Sequence, residues 1–534
     1  MTGTKKKLGA LLLAAALLLS VCGCDTQTGG DDYIEGKSAG KKLSQTAAAD
    51  DIFTLNINND YSLNPINATN TSNQIVCGLI YENMVELDNN YNVIPGIITS
   101  WEAYKEGSYW EFKIDTTHVF HDGTPVTADD VAYSFKRAMN SDRFRSRLSY
   151  VYGCSATSED TIAISLAKNN MMFPSLLTIP VIKSGSDDGE YPVGSGPYTY
   201  AEDYKSLVKA KTWKGDVPVD KIYLAEYTGV DETISAFEDS LLDLVMNDPT
   251  APTTLGFGSA NEIRGYNTTN MHYIGFNMNS RIFTYDSLRF AMIYAFDRDY
   301  LVEQLGGFAL AASLPVSPAS KLYSKSLAAK YKYDLEQCRI ILENSGLKDY
   351  DNDGFLEQRV GDELVDIEIK FAVCSASTAK VNVAKKFVSD MASLGLQVNL
   401  MELSWKDYKT TVINGTCDMY YAEARINPDF DPSKLLVTGG SLNVSGIDNE
   451  QMNESIALYL SAADDGSRQT ACESMCANIL NSAYFVPLGF EKHQMVTHRG
   501  VITGIKVNEN NPVYDFANWT IDLSQTADES KEDE

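Results

Sequence analysis

The sequence predicts a mixed α/β and α+β protein built from two or three domains. Three observations carry this prediction. First, VDIEIKFAV (365–373) alternates apolar and polar residues, a stretch with helical spacing follows, and LQVNLME (396–402) alternates again. That is a strand–helix–strand unit, which implies a mainly parallel sheet. Second, WEFKIDTTHVFHDGTPV (110–126) reads as antiparallel β-structure with an Asp122-Gly123 turn. Third, the chain has 534 residues, more than one hydrophobic core usually serves.

The connecting helix of the first unit places Val383, Ala384, Phe387, Val388, Met391 and Leu394 on one side, and Gly395 suits its C-terminus. A second helix opens at Asp334, a candidate N-cap with Gln337 three residues on, and ends at Gly346. A third begins at Thr127 and aligns Val131, Phe135 and Met139. These apolar stripes read as core. No repeat of fixed period is present.

The ends read differently. Lys5, Lys6 and Lys7 precede an apolar run over 8–21, shorter than the ~18 residues of a membrane-spanning helix. A basic start, a short apolar run and small residues make a secretory signal over 1–23. Val21, Cys22, Gly23 and Cys24 resemble the lipobox of bacterial lipoproteins, which implies cleavage after Gly23 and acylation of Cys24. Residues 24–50 are polar and rich in Gly, Ser and Thr, a tether spanning roughly 30 Å. Residues 524–534 form an acidic tail. The globular part is therefore about 51–523.

The formal charge is −28, and three units more negative once the signal is removed. Such a chain is a poor partner for nucleic acid, whose binding relies on Lys and Arg. Seven cysteines beyond Cys22 and Cys24 are scattered, with no C-x-x-C. Cys472 and Cys476 lie one helical turn apart and read as small buried residues. The five histidines form no H-E-x-x-H, and no phosphate loop or G-x-S-x-G elbow appears. His118 and His121 read as solvated or hydrogen-bonded residues beside a turn. DYDNDGFLE (349–357) opens like a calcium loop with Asp349, Asp351, Asp353 and Gly354. The twelfth position, where a bidentate Glu belongs, is Val360, and Glu357 stands at the ninth. The spacing favours a polar β-turn, so no metal is expected.

Charge also gathers in YYAEARINPDFDP (420–432), with Glu423, Arg425, Asp429 and Asp431. GTCDMYYAEA (415–424), including Tyr421, reads as a strand. The loop after it lies where open α/β sheets bind ligands, beyond the strand's C-terminal end. Asp429 and Asp431 are equally suited to capping the next turn. Arg425 could read a ligand carboxylate or pair with Glu423, Asp429 or Asp431.

Several motifs, in order, carry a family resemblance. They are Tyr81-Glu82, VIPGII with SWE, WEFKI, FHDGTPVTADDV, YSFKRA, VGSGPY (193–198), YIGFNMNS, DSLRFAMIYAFDRDYL, SWKDY, DFDP and FVPLGF. The chain resembles the family 5 solute-binding proteins of ABC importers, the oligopeptide- and dipeptide-binding group, over about 51–519. The resemblance implies a type II periplasmic-binding-protein fold: two α/β lobes plus an additional inserted domain. Lobe I would comprise 51–68, 192–270 and 482–523, the inserted domain 69–191, and lobe II 271–481. Hinge closure around a ligand would be the motion.

In the peptide-binding members an Asp about three residues before a D/E-P pair meets the ligand's α-amino group. Here Asp431-Pro432 is the pair and Pro428 stands at that position, with Asn427 and Asp429 on either side. Trp405, Tyr61 and Tyr421 are candidate pocket walls, since aromatic rings give rigid contact area. The expected function is a membrane-anchored extracellular lipoprotein that captures a peptide or similar small solute for an ABC permease. It would act as a monomer, without catalysis, cofactor or nucleic acid. A nickel chelate, an oligosaccharide or a signalling peptide are alternative ligands. A surface hydrolase using Glu423 with Asp429 or Asp431 is the alternative of another class.

Overall fold

A computed structural model describes residues 33–35, 52–250, 261–283, 286–360 and 362–523. The signal over 1–23, Cys24 with nearly all of the tether, and the tail over 524–534 lie outside the described residues. Among the described residues, no helix is long and apolar enough to cross a membrane.

Two long strands, Asn261–Phe276 and Phe485–His498, pair antiparallel and organise everything else. Over 261–267 the first faces 492–498 of the second. On this half Leu244–Asn247 joins the second strand, and the sheet continues through Phe53–Ile57, Lys221–Glu226, Ser206–Lys209 and Tyr198–Tyr200. Over 271–275 the first strand faces 485–490. There Met419–Arg425 joins the first strand, and the sheet continues through Glu368–Cys374 to Gln397–Leu403.

Apolar packing follows the same division. One core gathers Phe53, Phe112, Phe135, Tyr266 and Met495. Another gathers Met271, Ile274, Phe371, Phe387 and Phe490. We call the two halves lobe I and lobe II. The two cores therefore meet inside both strands, at 268–270 and 491.

In lobe II, Glu368–Cys374 and Gln397–Leu403 are parallel and in register along their length. Helix Thr378–Ser393 between them buries Val383, Ala384, Phe387 and Met391. The alternation from 365 spans two elements, because the chain turns at Ile367 between strands Glu363–Asp366 and Glu368–Cys374. Both strands keep a period of two, so the turn leaves the pattern unbroken. The Asp334 carboxylate accepts from the Gln337 amide as an N-cap. Cys472 and Cys476 are buried in helix Asp465–Ser482.

The 69–191 stretch builds its own antiparallel sheet from Ile98–Tyr104, Tyr109–Ile114, Thr161–Leu166 and Val151–Ser158. Its helix Ala128–Asn140 starts with a reciprocal Thr127–Asp130 capping box. It has no separate core: Ile98, Phe112 and Phe135 pack in the same cluster as Phe53 and Leu55 of lobe I.

The VGSGPY segment shows why two glycines are required. It lies flat against the end of helix Thr71–Ile80, and the Gly196 amide donates to the Ile80 carbonyl at 2.8 Å. A Cβ on Gly194 would stand 2.3 Å from the Ile80 oxygen, and one on Gly196 2.7 Å from the Ile80 carbonyl carbon. Backbone cannot yield as a side-chain tip can. Gly194→Ala and Gly196→Ala should each cost roughly 1–3 kcal/mol, read as a lower urea midpoint with unchanged slope. Unchanged midpoints would show that this contact does not matter.

Candidate functional site

The crossing between the lobes is where polar chemistry concentrates. Antiparallel pairing is interrupted between Asn267 and Met271, and the loose groups are tied individually. Thr268 Oγ1 donates to the Glu491 carbonyl at 2.8 Å. The Thr269 amide and hydroxyl donate to the Glu509 carboxylate at 2.8 and 3.1 Å. Asn270 Nδ2 donates to Glu423 Oε2 at 3.1 Å.

Beneath this break, the buried Glu491 carboxylate bridges two histidines. Oε2 lies 3.1 Å from His272 Nε2 and Oε1 lies 2.6 Å from His493 Nε2. His272 stands on the lobe II half of one strand and His493 on the lobe I half of the other. The Tyr421 hydroxyl is 3.0 Å from His272 Nδ1. A Tyr421 donor there leaves Nε2–H of His272 to donate to Glu491. Burial works against ionised Glu491, but hydrogen bonds from His272 and His493 outweigh it and hold the carboxyl well below the usual range. Burial likewise works against His493⁺, and Glu491 reverses this, so His493 is raised. Asp248 faces His493 at 3.8 Å, and Glu423, ion-paired with Lys380, faces His272 at 3.8 Å.

A cavity of about 250 Å³ opens beside Thr269. Arg425, Asn427, Pro428 and Lys434 line it together with Arg143, Arg147, Thr178 and Glu509. Four cations thus meet one carboxylate. Arg425 Nε pairs with Glu509 Oε1 at 3.2 Å, with its side chain 64% exposed. Arg143 and Arg147 flank the Phe144 ring, each 4.8 Å from its centroid. Each donates to a main-chain carbonyl, of Pro65 and Thr178 respectively. Burial lowers Arg143 to about 10, and burial together with Arg143 lowers Arg147 to about 9. Burial also lowers Lys434. Desolvated positive charge with a single nearby carboxylate is unfavourable, and an incoming anionic group would relieve it. Two other cavities, of about 320 and 750 Å³, touch neither crossing strand.

The structure brings only some of the sequence candidates to this cavity. Arg425 and Asn427 line it. Asp429 and Asp431 turn to the 69–191 stretch instead: Asp429 Oδ2 accepts from Asn170 Nδ2 at 2.9 Å and Asp431 Oδ2 pairs with Lys168 Nζ at 2.6 Å. Burial, followed by the charge of Asp431, pushes the Asp429 carboxyl up to about 6. The capping alternative holds for Asp431, which accepts from the Ser433 amide at 2.9 Å. Arg425 pairs with none of the three acids considered from sequence. Glu423 and Tyr421 belong to the hydrogen-bonded layer at the crossing. Tyr61 is half exposed and Trp405 is 61% exposed, stacked on Tyr408. Neither lines the cavity. His118 bonds Glu82 and His121 bonds the Gly196 carbonyl, both away from it.

Sequence reasoning missed Arg143, Arg147, Lys434, Thr269 and Glu509. The available signal was the density of arginines in RFRSR (143–147), just past a helix end.

Comparison with known proteins places this arrangement. The sequence profile described as bacterial extracellular solute-binding proteins, family 5 Middle, matches residues 92–444. Heme-binding protein A of Haemophilus influenzae is 23% identical over 514 residues, covering 85% of this chain and 89% of that protein. Oligopeptide-binding protein AppA of Bacillus subtilis is 21% identical, covering 65% of this chain and 68% of that protein. The solved structure of the ABC transporter substrate-binding protein CtaP of Listeria monocytogenes superposes with a TM-score of 0.71 at 18% identity, covering 88% of this chain and 99% of that one.

The crossing also sets a pH dependence. Glu491 is lowered, so its contribution to stability is present above its unfolded value near 4.5 and lost as pH falls below it. His493 is raised, so its contribution is full below 6.5 and lost as pH rises through its higher folded value. Stability from this pair should peak between those limits. Glu491→Gln should flatten the profile and cost ~3 kcal/mol near pH 6, measured by urea unfolding from pH 4 to 9. A variant profile parallel to the parent's would refute the linkage.

Proposed function

Because this chain belongs to the bacterial extracellular solute-binding proteins of family 5, we propose that it captures a peptide, or a similar small solute carrying a carboxylate, in the cavity beside Thr269 and delivers it to the permease of an ABC importer. The observation that carries this reading is the charge of the cavity. Arg143, Arg147, Arg425 and Lys434 line it, with Glu509 as the one carboxylate among the lining residues. Guanidinium groups read carboxylates through paired N–H donors. The volume suits one end of a peptide, the carboxylate end, rather than a whole oligopeptide. AppA, a relative named as an oligopeptide-binding protein, supports the ligand class. Micromolar affinity, about −8 kcal/mol, would suffice for capture.

The three acids that could form a hydrolytic pair, Glu423, Asp429 and Asp431, have other partners. Glu423 is committed to Lys380 and Asn270, Asp429 to Asn170, and Asp431 to Lys168 and Ser433. None faces the cavity. This supports a receptor without catalysis. Tethering by acylated Cys24 would hold the receptor at the outer membrane surface, where two lipid chains anchor stably.

Calorimetric titration with short peptides, as free acids and as C-terminal amides, tests the reading. Amidation should weaken binding at least ~10-fold, the equivalent of one charge-assisted contact. Arg147→Met and Arg425→Ala should lose most of that discrimination while keeping the fold. Equal affinity for acid and amide would sink the carboxylate assignment, and turnover of any peptide would sink the receptor reading. Separately, Cys24→Ala should release the protein from the membrane fraction. Retention there, with the signal cleaved, would count against acylation.

A further inference from the structure

DYDNDGFLE, which counted along the sequence falls short of a calcium loop, gathers four carboxylates when folded. Residues 349–356 connect strand Leu347–Lys348 to strand Glu357–Val360, and Lys348 pairs directly with Glu357. The hairpin therefore returns Glu357 to the start of its own loop. Carboxylate oxygens of Asp349, Asp351, Asp353 and Glu357 all lie within 4.8 Å of one another.

The aspartates are exposed, and acidic turns alone are common. Glu357 is the independent observation. Its side chain is 99% buried, Oε2 accepts from the Tyr350 amide at 2.7 Å, and Oε1 is buried with no hydrogen-bond partner. An orphaned carboxylate oxygen is costly, more so facing three further carboxylates. Among the described residues, none of the four acids takes part in an ion pair with Lys, Arg or His.

We propose that these four carboxylates bind a calcium ion. The donors are all hard oxygens, with no nitrogen or sulfur to favour zinc. Asp at positions one, three and five with Gly at six follows the order of calcium loops. Gly354 takes a φ of +94° there. The buried Glu357 at position nine takes the place of the bidentate Glu normally found at twelve. A cluster of this spread and flexibility suits calcium, whereas magnesium demands tight octahedral geometry and retains water.

The ion would staple lobe II. The Leu356 amide donates to the Gly395 carbonyl at 2.8 Å, so the loop holds the turn that ends helix Thr378–Ser393. Lys380, in the first turn of that helix, pairs with Glu423 at the crossing. An affinity of roughly 0.1–1 mM, typical of extracellular modules, is expected.

The full folded protein, stripped with EDTA and dialysed, tests this by thermal unfolding with calcium chloride or magnesium chloride, and by terbium luminescence excited through Tyr350. Calcium at about 10 mM should raise Tm by roughly 2–4 °C, and magnesium by less than half of that. Asp351→Asn and Glu357→Gln should each weaken calcium at least ~10-fold and dim terbium emission. Asp351 is exposed, so its variant carries the test should Glu357→Gln unfold. No calcium-dependent rise in the parent, or an unchanged apparent Kd in Asp351→Asn, would overturn the site.

Discussion

Among the described residues, two strands carry the chain between its lobes, and both do so within one antiparallel pair. Asn261–Phe276 and Phe485–His498 must serve as the central pair of the sheet on each side. Regular pairing would make the crossing rigid. Instead the ladder breaks over 268–270, and side chains take up the freed backbone groups. Glu491 then ties the halves together beneath the break, because its two oxygens reach histidines belonging to different lobes. The cavity lies directly against this joint, through Thr269 and Glu509. Position of the cavity, separation of the cores and placement of Arg425 opposite Asn270 all follow from that pair.

Much of the fold was legible because it is written locally. Alternation marked strands Glu368–Cys374 and Gln397–Leu403, the aromatic and apolar content of 415–424 marked Met419–Arg425, and helical spacing with Gly395 bounded Thr378–Ser393. The site was legible only in part. The loop after Met419–Arg425 does reach the cavity, through Arg425 and Asn427. Yet Arg143 and Arg147 lie nearly three hundred residues away in the chain, and periodicity carries no information over that distance. His272 and His493 were bland singly; their meaning depends on the register that sets them on either side of Glu491. Asp429 and Asp431 are the reverse case, conspicuous in sequence but spent on Asn170 and Lys168. In DYDNDGFLE, position counting along the chain could not see a hairpin folding position nine back to position one.

Charge is distributed against the average. The chain carries −28 overall, while the cavity holds four cations and one carboxylate. Cations placed at a surface would be neutralised by this background. Arg143 and Arg147 are half-buried against Phe144 and donate to main-chain carbonyls rather than to the abundant acids. The acidic exterior favours solubility, and the interior of the cleft retains its opposite sign.

The contacts of Asp429 with Asn170 and of Asp431 with Lys168 lie on neither crossing strand, yet they join lobe II to a stretch that shares its core with lobe I. They form a clasp on the same side as the cavity loop. Separating the lobes there requires breaking it first, whether or not a solute is present. Its strength is therefore part of the work of any such separation. Arg425 and Asn427 line the cavity, while Asp429 and Asp431, a few residues on, hold lobe II against the 69–191 stretch.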